Sequence, residues 1–181
     1  IENLSARIHI PISIDTTKAA VARKAIQAGA SIINDVSALR LDPGIADVAA
    51  EYDVPVILMH MLGTPKTMQA DPVYDDLIKE IKEFLKNAVD YAVSKGISKS
   101  KIIIDPGIGF GKNVEHNLLL IQHLHEFKTL DVPIMIGLSR KAFIRNILKD
   151  TTVKDINPGL PVVEIGTQAS VAAAVLNGAH M

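Results

Sequence analysis

The sequence predicts a parallel α/β fold of the (β/α)8 TIM-barrel class, incomplete here, with about five βα units plus flanking pieces in a single domain over 1–181. Three observations predict it. Short, apolar, β-branched runs alternate strictly with helix-periodic segments, the pattern of strands covered on both faces. The runs stop at polar residues, Asp15, Asn34, His60, Asp105 and Ser139, and ligands of parallel α/β folds gather at the carboxyl ends of strands. The chain also opens on Ile1 and closes on Ala179–Met181, which reads as a further strand just begun. An open doubly wound sheet would fit the length without truncation; the clipped termini favour the barrel.

The elements follow in order. Residues 1–7 read as the tail of a helix, and Ile8 to Ile14 as a strand interrupted by Pro11. Thr16 or Thr17 is placed to N-cap a helix from Lys18 to Ala28, with Val21, Ala25 and Ala28 on one face and Gly29 as its stop. Ser31 to Asn34 is a second strand, with Asp35 just beyond. Asp42-Pro43 opens a helix through Glu51, since proline suits a first helical turn. Val54 to Met59 is a third strand. A polar loop, Met61 to Gln69, leads to a helix over Pro72 to Ser94 with Leu77, Ile81, Leu85 and Ala88 at helical spacing. Ile102 to Asp105 is a strand whose three isoleucines suit burial on both faces, and a helix spans Val114 to Phe127. Pro133 to Gly137 is a fifth strand, after which Ser139 can cap a helix from Arg140 to Leu148. The last helix lies near Gly166 to Leu176 and stops at Asn177-Gly178.

Composition narrows the function classes. A chain of 181 residues that is 48% hydrophobic can bury a sizeable core. A formal net charge of -1 argues against general nucleic-acid binding. There are no cysteines, so neither disulfides nor thiolate metal sites are available. No apolar run approaches the roughly 20 residues of a membrane span. A cytoplasmic location is expected.

The stretch Asp105 to Lys112, D-P-G-I-G-F-G-K, is the densest in candidate chemistry. Pro106 ends the strand, and Gly107, Gly109 and Gly111 alternate with Ile108 and Phe110. This is not a phosphate-binding P-loop, because the glycines fall as G-x-G-x-G and Asn113 follows Lys112. Asp15, Asn34 and Asp105 together offer acceptors and one amide, suited to the adjacent N–H groups of an amino-pyrimidinone edge. The competing reading is that each caps its own turn. Arg140 and Lys141 open a helix where acidic residues are usual, which points to an anionic or carbonyl-bearing ligand rather than to helix stability. Phe110 either stacks on an aromatic substrate or plugs a rim. His116, His123 and His125 read as solvent-facing on an amphipathic helix. His60 is the better candidate but has no second ligand at metal spacing, and no zinc site is expected.

The motifs S-I-D-T at 13–16, I-I-N-D-V at 32–36, L-M-H-M-L-G-T-P at 58–65, D-P-G-I-G-F-G-K at 105–112 and G-L-S-R-K at 137–141 resemble, in that order, those of dihydropteroate synthases. The resemblance covers essentially the whole chain. It implies an eight-stranded barrel and a homodimer. The implied reaction joins 6-hydroxymethyl-7,8-dihydropterin pyrophosphate to 4-aminobenzoate in folate biosynthesis, with sulfonamides as inhibitors. By motif, Asp15, Asn34, Val36, Met59, Asp105, Gly137 and Lys141 would hold the pterin. Gly109, Phe110, Arg140, Lys141 and Ala142 would border the aminobenzoate, and Asp105 and Lys141 would be catalytic. Ala142 stands where the family often has a serine. Mg2+ is the implied cofactor, with its protein ligand before Ile1 and none within this chain. The family's first two strands and most of its last βα unit would also lie outside, so low activity is expected, with exposed edges at the Ile12 and Ile134 strands. The alternatives are a folate-holding methyltransferase-type barrel module and a non-catalytic pterin binder.

Overall fold

The computed structural model describes residues 1–64, 68, 72–150, 152 and 154–181. Pro65 of the third motif and Gln69 at the end of the predicted polar loop lie outside the described residues. The chain divides into two compact units: Ile1–His60 with Glu83–Asp105, and Met61–Lys82 with Pro106–Met181.

The first unit is built on a four-stranded parallel sheet whose spatial order follows the sequence, β1 (Ser13–Asp15), β2 (Ile32–Asp35), β3 (Val56–Met59) and β4 (Ile102–Asp105). Neighbour-to-neighbour order without a reversal is what successive βα units of a barrel wall produce. A short helix α1 (Glu2–Ser5) precedes the sheet, and α2 (Ala19–Gln27), α3 (Gly44–Tyr52) and the Glu83–Ser94 part of α4 (Leu77–Ser94) supply its helices. Ile33, Val56, Leu58, Ile102 and Ile104 are fully buried. So are Ala22, Ile45, Ala46, Leu85 and Ala92 from the helices, the apolar layer that parallel sheets require.

Several expectations shift by local physics. The first strand is three residues long, starting after Pro11 rather than at Ile8, because proline cannot donate to the ladder. Neither Thr16 nor Thr17 caps α2. Instead Asp42, in the loop before α3, accepts the Ala19 N–H at 2.7 Å. The buried face of α2 is Ala22 and Ala25, whereas Val21 is 42% exposed, a phase error of one residue. In α4 the predicted stripe Leu77, Ile81, Leu85 and Ala88 is buried throughout.

The second unit is helical. It holds α5 (Val114–Gln122), a 3-10 turn (Leu124–Leu130), α6 (Ala142–Leu148) and α7 (Pro161–Leu176). The predicted helix to Phe127 thus tightens into 3-10 geometry after His123. The expected fifth strand is a single bridge at Ile134. There the backbone pairs with the chain end: His180 N–H donates to Ile134 O at 2.9 Å, and Ile136 N–H to Met181 O at 3.0 Å. The last helix begins five residues earlier than expected, with Pro161 in its first turn. It crosses α6 at Gly166, where a Cβ would meet Ile144 Cγ2 at 2.6 Å.

Candidate functional site

Strand register decides which polar strand ends share a face. Asp15 pairs with Asn34, Asn34 with Ile57, Ile57 with Ile103, and Met59 with Asp105. In-register neighbours point the same way, and residues two apart along a strand point the same way. Asp15, Asn34, Met59 and Asp105 therefore lie on one face of the sheet. Asp35, Leu58 and Ile104 lie on the other, with His60 one step beyond Met59.

Burial differs along the first face, where Asp15 is exposed and Met59 and Asp105 are buried. Asp105 is 5% exposed, while its backbone carbonyl accepts the His60 N–H at 2.9 Å. The Asn34 side-chain oxygen is buried and has no hydrogen-bond partner among the described residues, although its backbone carbonyl accepts the Thr16 N–H at 3.0 Å. An orphaned buried amide oxygen is costly unless a ligand donates to it. Asp35 is fully buried and structural: one oxygen accepts Ser37 N–H and Oγ–H at 2.8 and 2.7 Å, and the other accepts Leu39 N–H at 2.7 Å. These bonds hold Ala38 and Leu39 at positive φ (52° and 66°), a conformation side chains rarely adopt. His60, a candidate by sequence, packs its ring edge-on against Phe84 with centroids 4.9 Å apart. Applying the two-residue alternation from Met59 would have placed it on the far face.

In the second unit, Gly107, Gly109 and Gly111 all have positive φ (75°, 81° and 68°), so their alternation with Ile108 and Phe110 is a conformational requirement. At Gly111 a Cβ would meet Leu62 Cβ at 2.6 Å. Phe110 is half-buried, and Lys141 Nζ stands 4.5 Å from its ring centroid, within cation–π range. The S-R-K turn differs from expectation. Arg140 has φ 51°, which no helix accommodates, so α6 starts at Ala142 with Lys141 as its N-cap and Ser139 makes no cap. The Arg140 turn is held from a distance: its N–H donates to Thr167 Oγ1 at 3.1 Å, and its carbonyl accepts from Arg145 at 2.6 Å. The Arg140 guanidinium meets Glu164 at 3.3 Å and is half-exposed. An incoming carboxylate must compete with Glu164 for it.

His116 is no idle surface group. Its N–H donates to Asn113 Oδ1 at 2.8 Å, and its Nδ1 accepts the Asn113 N–H at 3.3 Å, a reciprocal cap on α5. Burial, and then the nearby Lys112 charge, hold its pKa below the usual histidine value. His123, His125 and Glu126 bring their ligand atoms within 4.8 Å of one another, since a 3-10 turn eclipses positions three apart. His123 Nδ1 and Glu126 Oε1 already satisfy each other at 2.9 Å. No helix among the described residues is long and apolar enough to cross a membrane.

Comparison with known proteins bears on this geometry. A family model described as pterin binding enzyme matches residues 1–181. The dihydropteroate synthase of Synechocystis sp. is 44% identical over the whole chain, which spans 60% of that relative. The backbone superposes on a Yersinia pestis dihydropteroate synthase–sulfonamide complex with a TM-score of 0.88, at 39% identity, covering 98% of this chain and 62% of that one. It matches the Xanthomonas albilineans dihydropteroate synthase in complex with 7,8-dihydropteroate at a TM-score of 0.85, 40% identity, 98% of this chain and 62% of that one. The chain thus spans about 60% of the length of its curated relatives. A parallel sheet in sequential order, with two acids and, among the described residues, an amide oxygen without a partner on one face, accompanies these matches, and the chain belongs to the pterin binding enzyme family.

Proposed function

We propose that this chain carries the pterin and arylamine sites of a dihydropteroate synthase. The reaction condenses 6-hydroxymethyl-7,8-dihydropterin pyrophosphate with 4-aminobenzoate, giving dihydropteroate and pyrophosphate. The observation that carries the reading is the shared face of Asp15, Asn34, Met59 and Asp105, with the buried Asn34 oxygen awaiting a donor. A pterin ring presents N–H groups along one edge. Carboxylates accept them, and an amide matches a mixed donor–acceptor edge. Met59 gives the ring an apolar wall. Val36, Gly137 and Lys141 are assigned to the pterin by the resemblance alone.

Chemistry follows from what these groups do to charge. The bond from the pterin methylene to pyrophosphate breaks, and pyrophosphate leaves with the electron pair. The arylamine nitrogen then forms the new bond to the methylene carbon and loses a proton. Positive charge spreads into the ring as pyrophosphate leaves, and the buried Asp105 carboxylate stabilises it where water is scarce. In the second unit, Phe110 and Gly109 offer a face to the aminobenzoate ring, with Lys141, Arg140 and the backbone at Ala142 as candidates for its carboxylate. Sulfonamides would occupy the same aryl site. The Yersinia pestis and Xanthomonas albilineans complexes are with a sulfonamide drug and with 7,8-dihydropteroate, which supports this assignment by kinship.

Mg2+ belongs to the same reading, yet the described residues do not fit it. The one three-residue group able to hold a cation, His123, His125 and Glu126, is imidazole-rich, whereas Mg2+ takes oxygen ligands. No step is routed through it. A cytoplasmic homodimer also belongs to this reading. Val162, Ile165, Val175 and Leu176 of α7 are 43, 64, 61 and 87% exposed, an apolar surface suited to a second copy. Ile165→Glu should shift sedimentation from dimer to monomer; an unchanged dimer excludes α7 as the interface.

The deciding experiment is calorimetry with a pterin. Asp105→Ala should weaken binding roughly 10- to 100-fold, the worth of a shielded charge-assisted bond. Equal affinity in both proteins would sink the pterin reading.

A further inference from the structure

Phe110 lies in backbone that cannot hold it. Three glycines at positive φ surround it, each with more unfolded freedom to lose than any other residue, and its ring is only half-buried. Yet three polar groups of the loop are tied to side chains. Gly109 N–H donates to Asn117 Oδ1 at 2.8 Å, and Asn117 Nδ2 donates to Asn113 O at 2.7 Å, so both ends of this 2%-exposed amide are engaged. Lys112 Nζ, on a side chain buried to 4% exposure, donates to Phe110 O at 3.0 Å. The Tyr74 hydroxyl donates to Gly111 O at 2.8 Å, and its ring stands edge-on to His116, 5.1 Å between centroids. Phe110 N–H closes the turn on Gly107 O at 3.1 Å.

Burying an ammonium against a loop carbonyl gains little stability, because desolvation cancels much of the attraction. It is a good way to fix geometry. We propose that Tyr74, Lys112 and Asn117 are positioning residues that preset the Phe110 loop for an aryl co-substrate carrying an amine and a carboxylate. This rests on the arylamine reading of the loop given above. None of the three touches the ligand. They act by removing the loop's alternative conformations, so ordering it costs less when the aryl ring arrives. Burial, and then Glu80, push the Tyr74 hydroxyl above its ordinary range, so it remains a donor at any working pH.

Two measurements on the whole chain test this. The first needs no ligand: in Asn117→Ala the Gly109 amide should exchange hydrogen at least about 10-fold faster, with Ile103 and Ile104 of β4 unchanged. The second titrates 4-aminobenzoate onto the pterin-saturated chain. Tyr74→Phe, which removes a single oxygen, should raise the aryl Kd about 10-fold and leave the pterin Kd and the melting temperature nearly unmoved. A merely structural role would move both affinities and the melting temperature together, and that result overturns the proposal. Unchanged exchange at Gly109 overturns it as well. If Asn117→Ala does not fold, exchange at Phe110 in Tyr74→Phe takes its place, with the same expectation. Failure of the unaltered chain to bind any pterin counts against the proposed function instead, and the exchange result still decides the brace.

Discussion

Two of the turns that hold non-glycine residues at positive φ, those at Ala38–Leu39 and at Arg140, are supported in opposite ways. After β2, Ala38 and Leu39 sit at positive φ because Asp35, three and four residues earlier, gathers the amides of Ser37 and Leu39 on its own carboxylate. At the S-R-K turn, Arg140 is held at positive φ by Thr167, 27 residues later, itself anchored on Val163 O at 2.9 Å. The glycine loop combines the two, with Lys112 bonding Phe110 O from two residues away and Tyr74 bonding Gly111 O across 37 positions. Local support makes a turn as rigid as the strand that delivers it. Distant support ties a turn to whatever else moves its partner. The turn after β2 is of the first kind, and the S-R-K turn is of the second. Turns held from a distance are therefore the ones that changes elsewhere in the chain can tune.

Removing the local support should have the largest effect. Asp35→Ala deletes a fully buried acceptor of three hydrogen bonds and leaves two amides and a hydroxyl unsatisfied. The expected loss is about 3 kcal/mol of stability by denaturant titration, with Ala38 and Leu39 released from their strained backbone. A loss below about 1 kcal/mol would mean that Ala38 and Leu39 hold the turn by packing, and the contrast between the two turns would fail. Asp105→Ala comes next in size but acts differently. On the proposed reading it lowers pterin affinity roughly 10- to 100-fold, read by calorimetry, from the sheet face opposite Asp35. The roughly 10-fold aryl effect of Tyr74→Phe follows, confined to the distant-support half.

How far the sequence discloses this arrangement follows from the same contrast. β4 is legible to the residue, since Ile102–Ile104 and the stop at Asp105–Pro106 are local signals. The shared face of Asp15, Asn34 and Asp105 is half legible: their strand-end positions are visible, but register needs the neighbouring strand. Thr167 and Asn117 leave no local trace, because each serves a turn far along the chain or across a helical cap. Asp42 capping α2 is the same case, a carboxylate 23 positions from the amide it satisfies. Ser139 misleads for a related reason. It has the right chemistry for a cap, but the positive φ of Arg140, set by tertiary contacts, moves the helix start past it. His60 and Val21 were misplaced although alternation and helical phase were available in the sequence itself.

The smallest expected effect probes where local and distant support meet, at the Asn113–His116 cap. Neutral His116 Nδ1 accepts the Asn113 N–H, while the Tyr74 ring that braces Gly111 packs against the same imidazole. Burial, and then Lys112, lower the His116 pKa in the folded protein below the ordinary histidine value of 6.5. The folded state then binds fewer protons than the unfolded one between those two pKa values. Its contribution to stability is complete above about 6.5 and is lost as pH falls through the folded value. Melting temperature should therefore decline on acidification across that window. In His116→Gln, which keeps a polar group able to reach the Asn113 N–H without titrating, the decline should be shallower. The other histidines are common to both proteins, so the difference between the two profiles isolates this one. The cap also bounds the loop that Asn117 holds, since Asn117 bonds Asn113 O. Protection of the Gly109 amide, relative to its intrinsic exchange rate at each pH, should fall over the same window if cap and brace form one unit. Were melting to shift with pH while Gly109 exchange did not, cap and brace would be independent, and distant support would reach the aryl loop through Tyr74 and Asn117 alone.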